Sequence, residues 1–122
     1  MTSAAWSATA PRAESVTIEV TIGEGVATVI LGGELDLSSR DFLAEHLDRV
    51  AAREPWRLLF DMAAVRFVDC AAARTLVGTA RFLPPGSRPV IRNVRPAVRR
   101  LLELTGLEAH CVLEESGRDH LG

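Results

Sequence analysis

The chain has 122 residues, of which 48% are hydrophobic and 25% are charged, and its formal net charge is −2. A chain of this length builds one compact domain and can fold without disulfides or a bound metal. The near-average composition excludes a wholly disordered or fibrous protein, and the slightly acidic balance gives no general attraction for nucleic acid or an anionic membrane.

The two ends of the chain lack the periodicity of helices and strands. Residues 1–14 are mostly alanine, serine and threonine, and residues 116–122 are mostly polar, so we expect a flexible arm and a flexible tail around one domain at 15–115. No apolar run approaches the roughly 18 to 20 residues that span a bilayer, and the first residues do not form a signal peptide. With only two cysteines, the chain is expected to be cytoplasmic.

The first half of the chain predicts a hairpin of two strands followed by a helix. Polar and apolar residues alternate over residues 16–22, which predicts a strand with one solvated face. The glycine-containing segment 23–25 predicts a tight turn into an antiparallel second strand at 26–31. Ser38 or Ser39 is expected to begin the first helix, because serine is a good N-cap.

The second half alternates short apolar runs with helical patterns. Strands are predicted at 58–60, 90–91 and 111–113, with a loop at 61–66. Asp69 is a suitable N-cap for the second helix, and Pro96 suits the first position of the third. This alternation predicts an α/β domain with a mixed, mostly parallel sheet of four to five strands. The solvated face of the first strand indicates that the helices do not cover both faces equally.

A strand end passes directly into a helix start at residues 67–73. In parallel α/β sheets, sites collect at this carboxyl edge, and the first turn of a helix presents free N–H groups. The functional interpretation is a site whose helix start tolerates a phosphate or carboxylate. The structural interpretation is that Asp69 only caps the helix and the small residues allow close packing, and local features alone favour it because such caps are common.

The alternative to a binding protein is an enzyme that uses Cys70, because a thiol at a helix N-terminus can become a nucleophile. The segment between Cys70 and Arg74 is shorter than a phosphatase loop and lacks its glycine, and no histidine motif supplies a base. His110 and Cys111 are too few ligands for a metal, and no glycine pattern matches a nucleotide-binding loop. We therefore expect no cofactor and no metal.

The stretch at 88–100 contains several arginines and no acidic residue. Such a stretch is a candidate surface for an acidic partner or nucleic acid. All 14 basic residues are arginine, so arginine is the ordinary surface cation of this chain. No aromatic residue lies among them for base stacking. A solvated surface without nucleic acid is the expected interpretation.

Three separated motifs together resemble the STAS domain family, which is named after sulphate transporters and anti-sigma factor antagonists. They are residues 33–36 before the first helix, 67–72 before the second, and 93–107 in the third helix and its exit. The resemblance implies a small α/β domain with helices mainly on one side of a mixed sheet. It also implies a protein-binding switch whose partner is an anti-sigma factor, often a serine kinase with a histidine-kinase-like ATPase fold.

The resemblance further implies which residues bind the partner. Asp69 matches the aspartate of the family's phosphorylation motif, and Ala71 falls on the position that is phosphorylated in the family. Because alanine has no oxygen to accept phosphate, the usual switch cannot operate there. The implied partner-binding residues are Asp36, Ser38, Ser39, Asp69, Cys70, Ala71, Ala72 and Arg74.

Together, the residues and the resemblance indicate a non-catalytic protein-interaction regulator similar to an anti-sigma factor antagonist. It is expected to bind an anti-sigma factor in partner switching, without control by phosphorylation at the usual site, and a homodimer is compatible with this role. The alternatives are a STAS accessory subunit of another complex, such as a transporter ATPase, and a small enzyme that uses Cys70.

Overall fold

The computed structural model describes residues 3–11 and 13–114. Within these residues the strands are β1 (Ala4–Ala10), β2 (Ala13–Gly23), β3 (Val26–Leu35), β4 (Arg57–Val68), β5 (Val90–Arg92) and β6 (Val112–Glu114). The α-helices are α1 (Arg40–Ala51), α2 (Cys70–Val77) and α3 (Pro96–Thr105). None of these helices is long and apolar enough to cross a membrane.

The strands form one mixed sheet in the order β1-β2-β3-β4-β5-β6. Strand β2 pairs antiparallel with β1 on one side and with β3 on the other, whereas each neighbouring pair from β3 to β6 is parallel. The predicted α/β class is confirmed, with the hairpin of β2 and β3 as an antiparallel exception. The described sheet has six strands, however, where the sequence predicted four to five.

The additional strand is β1, which lies where the sequence predicted a flexible arm. Its backbone pairs with β2, with Trp6 opposite Val20, and its alternate side chains pack against the core. The prediction of a flexible arm at 1–14 is therefore wrong for Ala4–Ala10. Small side chains carry little hydrophobic signal, and pairing with β2 supplies the order. The predicted tail at 116–122 lies outside the described residues.

Trp6 joins β1 to α1. Its indole Nε1–H donates to Nδ1 of His46 at 3.0 Å, and the Arg49 guanidinium lies 4.0 Å from the ring centre of the indole. Phe42 meets the imidazole of His46 edge to face. Burial lowers the pKa of His46, the Glu45 carboxylate opposes this shift, and Arg49 adds to it. Because Nδ1 accepts the hydrogen bond from the indole N–H, this contact requires an imidazole that is unprotonated at Nδ1 and therefore neutral.

We expect the free energy of unfolding to fall as the pH is lowered from about 7.5 to about 5.5. In the unfolded chain His46 has its ordinary pKa of 6.5, and folding lowers that pKa, so the unfolded state takes up the proton first. The stability that neutral His46 contributes is present above the unfolded pKa and is lost as the pH falls through the lower folded pKa. Chemical denaturation at both pH values measures the effect.

Two variants, each with one histidine replaced, are compared with the wild type in this test. His46→Gln should flatten the pH dependence, because glutamine does not titrate. His110→Gln should retain it, because His110 is exposed. The same pH dependence in the wild type and in His46→Gln would contradict the assignment.

Strand β4 extends further than the sequence predicted. Residues 61–66, predicted as a loop, continue the strand, with interruptions in its pairing to β3. At the first interruption, Oδ1 of Asp61 accepts the N–H of Ala63 at 3.0 Å. The loop prediction is wrong because the polar side chains of this stretch lie outside the core, while Met62 and Val65 remain buried.

The helices lie mainly on one face of the sheet. Inward-facing residues of the strands and of all three α-helices form a single hydrophobic cluster. Its largest fully buried side chains include Phe60, Ile18, Leu31, Leu35, Leu43, Leu58, Met62, Leu76 and Ile91. On the opposite face, Thr17, Glu19 and Thr21 of β2 are exposed, as the alternation predicted. This arrangement leaves the loops after β3 and β4 together at one edge of the sheet.

Candidate functional site

The loops that follow β3 and β4 begin side by side. The two strands are parallel neighbours, and Leu35 lies opposite Val68 in their register, so Asp36 and Asp69 leave the sheet next to each other. The main-chain N–H of Asp69 donates to the Leu35 carbonyl at 3.0 Å. The structure thus brings together the two segments that the family resemblance implies as one partner surface.

Asp69 holds both loops with one carboxylate. Its Oδ1 accepts the N–H of Ala72 at 2.9 Å, so Asp69 is the N-cap of α2, as predicted. Its Oδ2 accepts the N–H of Leu37, in the loop after β3, at 3.0 Å. We call this pair of hydrogen bonds the Asp69 bridge. It fixes the two loops relative to each other and places a negative charge at the positive end of the α2 dipole.

Asp36 orders the loop in which it lies. Its Oδ1 accepts the N–H of Ser38 at 3.0 Å and the Ser38 hydroxyl at 2.5 Å, and the Ser39 hydroxyl accepts the Asp36 N–H at 3.1 Å. These bonds begin a short 3₁₀ turn at Leu37–Ser39 that leads into α1. The sequence predicted Ser38 or Ser39 as the helix cap, but Ser39 directly precedes α1 without a side-chain cap bond, and Asp36 caps the preceding turn instead.

The predicted partner-binding residues differ in accessibility. Those with exposed or half-buried side chains are Ser38, Arg74, Asp36, Asp69, Cys70 and Ala71. Ser39 and Ala72 are buried, with 1% and 0% of their surface exposed. These two residues shape the loops and do not touch a partner in this conformation.

Two exposed apolar side chains beside the Asp69 bridge were missed by sequence reasoning. Leu37 is 63% exposed and Phe67 is 51% exposed. Single exposed apolar side chains are common, and Leu104 is 75% exposed. What distinguishes Leu37 and Phe67 is that they lie within two residues of Asp36 and Asp69 in the sequence. The sequence carries a signal only for Phe67: it directly precedes Val68 in a strand, and alternation places one of two adjacent apolar residues outside the core.

A groove of about 430 Å³ runs between α1 and α2. The residues that line it are Arg40, Ala44, Leu47, Asp48, Ala71, Arg74, Thr75, Thr79, Arg81 and Phe82. Two of the predicted partner-binding residues, Ala71 and Arg74, therefore line this groove. The groove starts in the first turn of α2, next to the Asp69 bridge.

The chemistry that these groups offer is limited. Cys70 is a free, half-buried thiol, while His46 is held by Trp6. Cys111 is buried, and burial raises the pKa of its thiol. Over residues 3–11 and 13–114, no group of three or more His, Cys, Asp or Glu side chains could hold a metal ion. The arrangement presents a surface of mixed polarity whose two loops are joined by the Asp69 bridge.

The STAS domain family model matches residues 17–119 of the chain. The anti-sigma-F factor antagonist RsfB of Mycobacterium tuberculosis is 30% identical over 95 residues, which are 78% of each chain. The anti-sigma F factor antagonist of Paenibacillus polymyxa is 27% identical over 92 residues, which are 74% of this chain and 79% of that one. A solved structure of an anti-sigma factor antagonist from Mycobacterium paratuberculosis has a TM-score of 0.76 at 30% identity, covering 93% of this chain and 96% of that chain. The resemblance stated from the sequence is confirmed.

Proposed function

Because the chain belongs to the STAS domain family, we propose that it is an anti-sigma factor antagonist that acts by binding, without catalysis. The relatives named above are antagonists of anti-sigma factors. The observation that carries the proposal is the Asp69 bridge, which joins two loops into one surface. The proposed partner surface comprises Asp36, Ser38, Asp69, Cys70, Ala71 and Arg74, with Leu37 and Phe67 added.

The chemistry of this surface supports docking. Both oxygens of Asp69 accept main-chain N–H groups, so this carboxylate holds the two loops of the surface together. Leu37 and Phe67 add exposed apolar area close by, and area of this kind supplies much of the binding energy at protein interfaces. A hydrogen-bonded pair of loops with exposed apolar side chains suits a folded protein partner.

The proposal also covers the fold of the partner, the compartment in which the complex forms and the possibility of a homodimer. The anti-sigma factor is proposed to have a kinase-like ATPase fold, and the complex to form in the cytoplasm, where transcription is regulated. A homodimer would use the outer edge of β1, whose seven residues are uncharged and pair only with β2 among the described residues. Such an edge can pair with a second copy, and sedimentation of the purified chain measures whether it does.

Phosphorylation is proposed not to control this surface. The hydroxyl that serves as the switch in the family is missing at Ala71. Two nearby hydroxyls are engaged within the chain: Thr75 donates to the Ala71 carbonyl at 3.0 Å, and Ser38 donates to Asp36. Because phosphate at a packed interface adds charge and a desolvation cost, its absence keeps the surface in the binding state.

Incubation with a cognate serine kinase and ATP should leave residues 69–73 unmodified, because none of them carries a hydroxyl. Intact-mass measurement and peptide mapping test this. Ala71→Ser restores the hydroxyl and should become a substrate, which makes it the positive control. Phosphate on 69–73 of the wild type, or an Ala71→Ser variant that the kinase ignores, would contradict the match of Ala71 to the family's acceptor position.

Affinity capture from the native cytoplasm, followed by identification of the retained chain, tests the proposed function. We expect the wild type to retain an anti-sigma factor and Asp69→Ala to retain less of it. Retention of a transporter ATPase would favour the accessory-subunit alternative. A turnover that is abolished by stoichiometric labelling of Cys70 would favour the enzyme.

A further inference from the structure

The groove between α1 and α2 has an apolar floor and a cationic rim. Leu47 contributes to the floor, and Arg40, Arg74 and Arg81 place guanidinium groups around it, against the carboxylate of Asp48. All three arginines are exposed. The groove therefore carries excess positive charge, although the chain as a whole is negative.

None of the three guanidinium groups forms an ion pair within the described part of the chain, and Arg81 instead donates to the Gly78 carbonyl at 3.2 Å. Other arginines, Arg57, Arg66 and Arg92, do form ion pairs. Arginine is the ordinary surface cation here, so its presence alone means little. What distinguishes Arg40 and Arg74 is that both line one concave, partly apolar surface.

The other polar groups of the groove are already engaged. The hydroxyls of Thr75 and Thr79 donate to main-chain carbonyls. At the N-terminus of α2, the Ala72 N–H already donates to the Asp69 carboxylate. A small phosphorylated ligand needs converging main-chain and hydroxyl donors. A guanidinium rim over an apolar floor instead suits the carboxylates of an amphipathic protein segment.

We propose that this groove receives an acidic, amphipathic segment of a protein partner. Arg40 and Arg74 pair with its carboxylates, and the methyl group of Ala71 contacts its apolar side. The inference rests on the proposed function for the partner's identity, because it assigns this segment to the anti-sigma factor. The chemistry of the groove itself does not depend on that assignment.

Two capped peptides of about fifteen residues, long enough to form a helix, probe the groove directly. One contains alanine and glutamate, and the other has glutamine in place of every glutamate. In an NMR titration of the isotope-labelled chain, we expect the glutamate peptide to shift the amide resonances of Arg40, Ala71 and Thr75. The glutamine peptide should bind much more weakly, because it lacks the charges that the arginines attract.

Three arginine variants make the test specific. Arg74→Glu should lower the affinity for the glutamate peptide by about tenfold, because the attraction between residue 74 and the peptide becomes a repulsion. Arg74→Gln should lower this affinity less, because it removes the attraction without adding a repulsion. Arg100→Glu makes the same charge change at an exposed position of α3 that does not line the groove, and it should leave the affinity unchanged. The spectra also report whether each variant is folded.

Several outcomes would overturn the inference. Equal affinity of the two peptides would do so, as would equal affinity of the wild type and Arg74→Glu for the glutamate peptide. Inorganic phosphate at equal ionic strength is the third probe, and if it displaces the peptide and shifts the same resonances, the groove is a phosphate site.

If the glutamate peptide binds as expected but no anti-sigma factor is captured, the proposed function fails alone. If an anti-sigma factor binds the wild type and Arg74→Glu equally, the groove inference fails alone.

Discussion

Ala71→Asp should fold as stably as the wild type and bind the anti-sigma factor more weakly by about 2 to 5 kcal/mol. Ala71 is half-buried in the first turn of α2 and lines the groove together with Arg40 and Arg74. In the free chain a carboxylate here meets the positive end of the helix dipole, which favours folding by about 0.3 to 1 kcal/mol. In the complex the same carboxylate is desolvated and occupies the arginines that the partner needs.

Calorimetric unfolding and a titration against the purified anti-sigma factor measure the two effects separately. Ala71→Asn is the control, because it has nearly the same shape without the charge, and it should bind more tightly than Ala71→Asp. If Ala71→Asp unfolds, the position belongs to the core. If it folds and binds like the wild type, the first turn of α2 lies outside the interface.

Asp69→Ala should lower the free energy of unfolding by about 2 kcal/mol and weaken partner binding as well. The substitution removes both acceptors of the Asp69 bridge, so the N–H groups of Leu37 and Ala72 lose their partners. Loss of the helix cap accounts for about 1 kcal/mol, and loss of the bond to the neighbouring loop for the remainder. Because Leu37 is then no longer held, the binding surface loses its fixed shape.

Asp61→Ala is the control for this variant. Asp61 also accepts two hydrogen bonds, from the Ala63 N–H at 3.0 Å and from Nδ2 of Asn93 at 3.1 Å, but it lies within β4, away from the loop ends. Denaturant unfolding should show a comparable loss of stability, and titration should show unchanged affinity. If Asp61→Ala weakens binding as much as Asp69→Ala does, the loss reflects general stability and not the site.

Local patterns predict most of this fold, because each depends on neighbouring residues. The alternation at 16–22, the cap at Asp69 and Pro96 at the start of α3 all match the structure. Strand β1 lacks such a pattern, since its small side chains show no strong periodicity. Its order comes from pairing with β2 and from the contact of Trp6 with His46, which join residues far apart in the sequence.

Some features of the candidate site can likewise be predicted from the sequence, and others depend on contacts between distant residues. The resemblance to the STAS family implies that Asp36 and Asp69 belong to one surface, and the parallel pairing of β3 with β4 places them next to each other. The hydrogen bond from the Leu37 N–H to Asp69 and the burial of Ser39 depend on how the 3₁₀ turn is oriented, which no single residue type indicates. The groove depends on how α1 packs against α2, and helix packing has no signature at one sequence position.

The central proposal is that this chain binds an anti-sigma factor, and so frees the sigma factor held by it, without control by phosphorylation, and one experiment tests it directly. The anti-sigma factor is first bound to its sigma factor, the chain is added with and without ATP, and the released sigma factor is measured. We expect equal release in both conditions, because Ala71 has no hydroxyl to accept phosphate, whereas ATP should diminish the release caused by Ala71→Ser. A sigma factor that stays bound, or release by the wild type that ATP abolishes, would contradict the claim.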